Sequence, residues 1–491
     1  MLLLLLQVAD GKIGSASSAS LSNVAKRSGM HGSSNLVKVT ASAKVEAHAH
    51  THKMSLTTLI INIVADLCPH GMLPLAYGIS QGGPTGLVPA LLLLAMFGAM
   101  SAFTMTSFAK MASETRSTSI GELWAKLIGP QTKWVADLAV FSLCFGCCIF
   151  YSAFAGDIFG ALSTALGVRG LLARRSVVLG LVSLLCLLPL CLLEDLSALQ
   201  FSSLLGVGGI AYTLLFHLLR AVDGSYAPGA TMLSDFAPKA LPRWPSKARK
   251  FRLWSLDSGA FVLVNMLCVA YLAHYNAINY YSELEDASPQ RYQRAVYTGF
   301  GIAAGVFAGM MCLGYSLFGS ATQPLILNNF HKSKDALATG ARLATGLAIT
   351  FAYPLMFNGV KSSMNALLPT KLVAAKAADG KAVLVLSAET KRLRTGAVFA
   401  ALAAITAVAF QCGEEDVSLV LGIVGSVLGC GVAYVLPGYL GLVRQRVRKL
   451  AKLPNSKAEV AINHALVGLG TAFGALGVWM TLQEAAHGGH H

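Results

Sequence analysis

Apolar residues in this chain gather into long runs separated by short polar stretches, and eleven runs are roughly 18–30 residues long. Each is long enough to cross the ~30 Å hydrocarbon core of a bilayer. Their limits fall near 55–78, 86–110, 134–165, 176–193, 196–220, 257–281, 296–319, 337–361, 395–412, 416–441 and 462–482, with only Glu194-Asp195 between the fourth and fifth. The pattern predicts an all-α integral membrane protein with about 11 transmembrane helices. The first run is interrupted: its middle carries Asp66, then Cys68-Pro69-His70-Gly71, then Pro74. A charge, two prolines and a glycine are costly at bilayer depth. Such a break persists only where it is buried in protein or lines a cavity, so a transported solute is expected there.

Composition agrees with one membrane domain rather than several soluble ones. The 491 residues are 55% hydrophobic and 12% charged, with a mean hydropathy of +0.60; soluble domains carry about 25% charged residues. Residues 1–53 are rich in Ser, Ala, Lys and His and lack aromatics, which predicts a disordered tail. The transmembrane domain is expected over 54–485, with a short tail at 486–491. Met1–Leu6 is apolar but too short for a signal-peptide core, and no basic residue precedes it.

The net charge of +15 does not call for nucleic acid, because the basic residues concentrate in the 361–394 and 444–457 loops. That distribution follows the positive-inside rule and places the amino terminus in the cytoplasm. The 221–256 loop, with Lys239, Arg243, Lys247, Arg249, Lys250 and Arg252, runs against this orientation. Nearly all ten cysteines fall inside spans, where free Cys behaves as a small buried residue. Cys144-x-x-Cys147-Cys148 has the look of a metal motif but sits in an apolar helix without a second pair, so it is read as packing and no metal is expected.

Nucleophilic triads, phosphate loops and dinucleotide fingerprints are not found, so no catalytic residue is assigned and an enzyme is not expected. Gly206-Val207-Gly208-Gly209 lies in an apolar run and reads as close helix packing. The best site is the first span. Pro69 removes a backbone donor and Gly71 tolerates unusual backbone. A break here frees carbonyls near 65–68 and starts a new helix near 70–73. The new amino end suits a carboxylate and the carbonyl end a cation, so a zwitterion with a co-transported ion fits both. Asp66 must be paired, protonated or bound to a cation, and His70, one turn on, is placed to share the charge. In the sixth span His274 and Asn276 are candidates, beside Tyr271 and Asn279, while Tyr280-Tyr281 reads as the interfacial belt. In the eighth, Thr350 offers a hydroxyl to a cation or bonds its own helix, and Lys361 snorkels to the interface. Asp157 ranks below Asp66, and His217 is read as interfacial.

Three stretches then carry a resemblance. Gly71-Met-Leu-Pro-Leu-Ala-Tyr-Gly78 with Gly82-Gly83, Ala273-His-Tyr-Asn-Ala-Ile-Asn-Tyr-Tyr-Ser-Glu-Leu284, and Gly314-Tyr-Ser-Leu-Phe-Gly-Ser-Ala-Thr-Gln-Pro-Leu-Ile-Leu-Asn328 resemble the first, sixth and seventh spans of the amino acid/auxin permease family, in its order and spacing. That family includes sodium-coupled neutral and vacuolar amino acid transporters. The resemblance implies a leucine-transporter-like 5+5 inverted repeat, with helices 1 and 6 discontinuous, and secondary active amino acid transport by alternating access. It implies substrate contacts at Cys68, Pro69, His70 and Gly71, with His274 and Asn276 opposite, and an ion site near Asp66 and Thr350. The coupling ion would be H+ or Na+, and the acid at Asp66 tilts toward protons. The implied partners are an amino acid substrate and the lipid bilayer, in the plasma membrane or a vacuolar/lysosomal membrane. A transporter-like amino acid sensor without net transport is the alternative. The departure from the family is at Pro69-His70-Gly71, where small residues are usual.

Overall fold

The computed structural model describes residues 53–80, 85–193, 200–227, 230, 232, 252–256, 260–331, 334–376, 382–412, 422 and 424–488. Residues 1–52 of the expected tail, Glu194-Asp195, most of the 221–256 loop and the last three residues lie outside those described. Among the described residues, ten helices are long and apolar enough to cross a membrane, and a shorter apolar helix precedes them. Span 1 is that helix, Leu56–Gly71, followed by Leu75–Ser80. Spans 2 to 5 are Leu87–Thr115, Pro130–Ala165, Arg175–Leu192 and Ser203–Asp223. Spans 6 to 11 are Ala260–Glu283, Pro289–Ala321, Ala336–Leu367, Ala388–Gln411, Val424–Leu450 and Lys457–Leu482. A short helix, Ile120–Leu127, bridges spans 2 and 3; Ser119 caps it by accepting from the Glu122 amide.

The span ends show how the chain threads. The Met54 amide donates to the Glu283 carbonyl at 2.7 Å, and the Glu285 amide donates to the Met54 carbonyl at 2.9 Å. The start of span 1 therefore meets the end of span 6. On the opposite face the Gly86 amide donates to the Ser255 carbonyl at 2.7 Å, tying the entry of span 2 to the segment before span 6. Spans 1 and 6 run in opposite directions, as an inverted 5+5 repeat requires. Ion pairs stitch both faces. On the Met54 face, Arg444 of span 10 grips Glu114 of span 2 through two bonds of 2.6 Å and reaches Glu459 of span 11 at 3.0 Å. On the other, Arg220 of span 5 holds Asp335 at the cap of span 8 through bonds of 2.5 and 3.0 Å. Asp157 pairs there with Arg175 at 2.5 Å, so this acid is neutralised at a span end.

Burial sorts the helices into a centre and a rim. The apolar window of span 6 is 94% buried against 22% for span 4 and 28% for span 11. The rim helices present Leu184, Leu185, Leu204, Leu215 and Trp479 outward. Apolar surface of that extent suits lipid rather than water, and the chain is an integral membrane protein. The Gly206–Gly209 stretch does pack helix on helix. A Cβ on Gly209 would fall 2.4 Å from the Ala344 carbonyl oxygen, so spans 5 and 8 touch through backbone.

Two sequence expectations change. The 361–394 stretch is not all loop: β1 (Leu372–Lys376) pairs antiparallel with β2 (Ala382–Leu386), Leu372 opposite Leu386. His217, read as interfacial, is enclosed by protein near the end of span 5. It is fully buried, stacked edge-on against Phe330, with Nδ1 bonded to the Thr213 carbonyl at 2.8 Å.

Candidate functional site

The break in span 1 falls later than its sequence suggests. The first helix continues through Pro69 to Gly71, and the turn lies at 72–74 before the helix resumes at Leu75. Pro69 deletes one donor toward the Ala65 carbonyl, but its fixed φ is helical, and beyond it the Met72 amide still bonds the Cys68 carbonyl at 3.1 Å. Pro74 is the effective stop. It pushes the residue before it out of helical geometry and is itself tolerated at a helix start. Gly71 serves a close approach: a Cβ there would meet the Phe307 ring of span 7 at 2.6 Å.

Span 6 breaks without proline or glycine. Its first helix ends at Ala270, a 3-10 turn covers His274–Asn276, and a second helix runs Ala277–Glu283. Contacts with other spans hold the break. Tyr271 packs against Phe300 and Phe307, and the Val269 carbonyl, which takes the Leu272 amide at 3.0 Å, also accepts the imidazole Nε2 of His70 at 3.1 Å.

Asp66 lies between the two breaks. It is about 16 Å along the helix from Ser55 at 1.5 Å per residue, near the middle of a ~30 Å core, and it is fully buried. Tyr275 donates to Oδ1 at 2.5 Å. Tyr280 donates to Oδ2 at 3.0 Å, and the Asn276 side-chain amide to the same oxygen at 3.3 Å. Asn276 also donates to the Leu355 carbonyl of span 8 at 2.9 Å, and its oxygen accepts from Asn358 at 3.3 Å. One carboxylate thus joins spans 1, 6 and 8. Its partners are neutral, and no lysine or arginine pairs with it among the described residues. Neutral donors offset only part of the cost of a buried charge. A proton or a small cation would complete the balance.

His70 occupies the space beside Asp66. Its Nε2 faces a carbonyl and so carries the hydrogen, which leaves Nδ1 to accept the Tyr151 hydroxyl at 2.5 Å. The same hydroxyl lies 3.4 Å from the Asp66 carbonyl. His70 therefore ties span 1 to spans 3 and 6. Cys68 and Pro69 are buried on the same stretch.

The structure brings Asp66, His70 and Asn276 together but not all the predicted residues. His274 turns toward span 2, where Nε2 meets the Ser101 carbonyl at 3.1 Å and the Thr104 hydroxyl at 2.8 Å. Thr350 bonds its own helix at the Gly346 carbonyl, 2.8 Å away. Tyr275 and Tyr151 were not predicted, and Tyr280 was assigned to the belt although it is fully buried. The available signal was the pairing rule itself: a mid-membrane acid needs donors, and phenols inside neighbouring spans carry them on otherwise apolar side chains. Lys361 does reach a span end, bonding the Leu193 carbonyl.

Helices broken opposite one another around a buried acid, in an inverted repeat, define a membrane protein of the leucine-transporter architecture. Solved structures agree on the fold. The chain aligns with MhsT in complex with L-phenylalanine at a TM-score of 0.50 and 15% identity, over 86% of this chain and 98% of that one. It aligns with a Na+-coupled sialic acid symporter, in a substrate-bound outward-open state, at 0.52 and 11% identity, over 93% and 96%. Residues 52–483 match the family described as transmembrane amino acid transporter protein, and the chain belongs to it. The family is one of transporters, not enzymes. Relatives include vacuolar amino acid transporter 6 of Saccharomyces cerevisiae, 24% identical over 64% of this chain and 66% of the relative. Amino acid transporter AVT1C of Arabidopsis thaliana is 24% identical over 79% and 64%. Putative sodium-coupled neutral amino acid transporter 11 of Mus musculus is 23% identical over 63% and 64%. The chain spans just under two thirds of the length of these relatives.

Proposed function

We propose that this protein moves an amino acid across a membrane by alternating access, driven by a proton gradient that acts at Asp66. One observation carries the reading. A fully buried carboxylate sits between two broken spans and is held by three neutral donors, all from span 6. Neutralising it weakens those donors' hold, because hydrogen bonds to a charged acceptor are roughly twice as strong as neutral ones. Loading an ion on span 1 therefore changes how tightly span 1 grips span 6, which is what coupling between ion and solute requires. Sodium is the competing ion, and an acid without a fixed countercharge favours the proton. The family membership supports an amino acid as substrate, and the vacuolar relatives support an internal, acidified membrane as its location.

Purified protein in liposomes, given a panel of labelled amino acids with pH and sodium gradients imposed separately, tests this. Uptake is expected to follow the pH gradient. Uptake that follows sodium alone overturns the proton assignment. Binding of an amino acid without uptake under either gradient replaces the transporter with a sensor.

A further inference from the structure

A small recess lies at the Met54 face, between the short helix Ile120–Leu127, the start of span 3, the second half of span 6 and the end of span 8. Ser119, Asp137, Asn279, Ser362 and Ser363 place polar groups in a wall that also holds Ile120, Val140 and Ile278, and Tyr275 is part of it. Among the described residues, Tyr275 alone belongs both to this wall and to the donors of Asp66. Asp137, in the second turn of span 3, is 5% exposed. Its carboxylate packs against the short helix at Gly121, where a Cβ would come within 2.0 Å of Oδ1.

We propose that this recess is the path by which a proton passes between Asp66 and the Met54 face, with Tyr275 as the relay and Asp137 as the carboxylate nearer the surface. The proposal rests on the reading of Asp66 as the coupling acid. The geometry supports it in three ways. The phenol is already 2.5 Å from Asp66 Oδ1, within proton-transfer reach. The polar groups in the wall suit water, which needs two to four polar partners to occupy a site. The charge facing Asp137 favours the ionised carboxylate that the last step protonates. Lys133, on its own helix, stands 3.8 Å away. On the short helix, Glu122 and Lys126 pair with each other at 2.5 Å, and on span 8 Lys361 is bonded to the Leu193 carbonyl. Around Asp66 itself the facing titratable groups are Tyr275 and Tyr280 from span 6, Tyr151, Cys144 and Cys147 from span 3, and His70 one turn along its own helix.

The step balances without a cofactor. The Asp66 carboxylic acid gives its proton to the Tyr275 oxygen as that hydroxyl passes its own proton to water in the recess. Water then delivers a proton to the Asp137 carboxylate. Asp66 ends ionised, Asp137 protonated and Tyr275 unchanged.

Two measurements on the reconstituted full chain test the path. The first asks whether water enters. In a Cys186→Ser background, Ile278→Cys, which lines the recess, and Ala277→Cys, which does not, are treated with a membrane-impermeant methanethiosulfonate. Labelling of Ile278→Cys with none at Ala277→Cys is expected; no labelling at Ile278→Cys overturns the proposal, whether or not the protein transports. The second follows proton flux with a pH dye inside the vesicles during amino acid uptake. Loss of a positioned proton carrier predicts a fall of about 10²-fold for Tyr275→Phe. Asp137→Asn should also slow the flux, and Asp137→Glu should restore it. Parental proton flux in both Tyr275→Phe and Asp137→Asn overturns the route while leaving the transport reading intact. An inactive parent defeats the transport reading and leaves the labelling result to decide whether the recess is an aqueous path.

Discussion

The two broken helices reach the same shape by different means. Span 1 breaks where its own chain carries Pro74, which disfavours helical geometry in the residue before it. Span 6 carries no such residue and would run straight if isolated. Its interruption at 271–273 leans on what other spans supply: the Ser101 carbonyl and Thr104 hydroxyl for His274, the Leu355 carbonyl for Asn276, and a second bond, from His70, to the Val269 carbonyl that already takes the Leu272 amide. A membrane helix gives up backbone bonds only where other groups replace them. A break written into the chain stays in every state of the protein. A break held by neighbours can be remade as those neighbours move, so span 6 is the half of the pair suited to rearrangement.

Substitutions can separate the two cases. The largest effect is expected from Asp66→Asn, which keeps the shape and most hydrogen bonds but cannot accept and release a proton. Uptake should lose its dependence on the pH gradient, measured as initial rates at matched and unmatched pH. Asn276→Ala comes next. It strips the Leu355 carbonyl, Asp66 and Asn358 of a partner, and an unmade buried bond costs about 1–3 kcal/mol. A clear fall in melting temperature in detergent is expected; an unchanged one would show that span 6 holds its break unaided. Gly98→Ala is a milder probe of the same break, because the new Cβ would lie 3.0 Å from the Tyr271 ring. Overpacking of this kind costs about 1–3 kcal/mol, read as a smaller loss of thermal stability. Pro69→Ala is the smallest and has the opposite sign. The helix already passes through this position, so the restored amide should add about 1 kcal/mol, whereas a loss of stability would mean that Pro69 shapes the break after all.

The same contrast explains what could be read from the sequence. The spans were legible because a bilayer forces long apolar runs, and Asp66 stood out because a charge at that depth is expensive. The break in span 1 was legible in kind but placed too early, since Pro69 attracted attention that belonged to Pro74. The break in span 6 left no local mark and came only through the resemblance to a family. The donors of Asp66 were hidden for a related reason. Tyr275 drew no notice and Tyr280 read as interfacial belt until both hydroxyls are seen to converge on one carboxylate. The hairpin was overlooked within a basic loop, although Asp379-Gly380 between two apolar runs is a turn signal.

The clamp between Met54 and the end of span 6 has a consequence for mutational genetics. It is made of backbone alone, the Met54 amide on the Glu283 carbonyl and the Glu285 amide on the Met54 carbonyl. An alanine scan across these positions would leave both bonds in place, so whatever it reports comes from side chains such as the buried Met54 and not from the clamp. Only a residue without an amide hydrogen reaches it, so Met54→Pro and Glu285→Pro are the substitutions that would reveal how firmly this face is held shut.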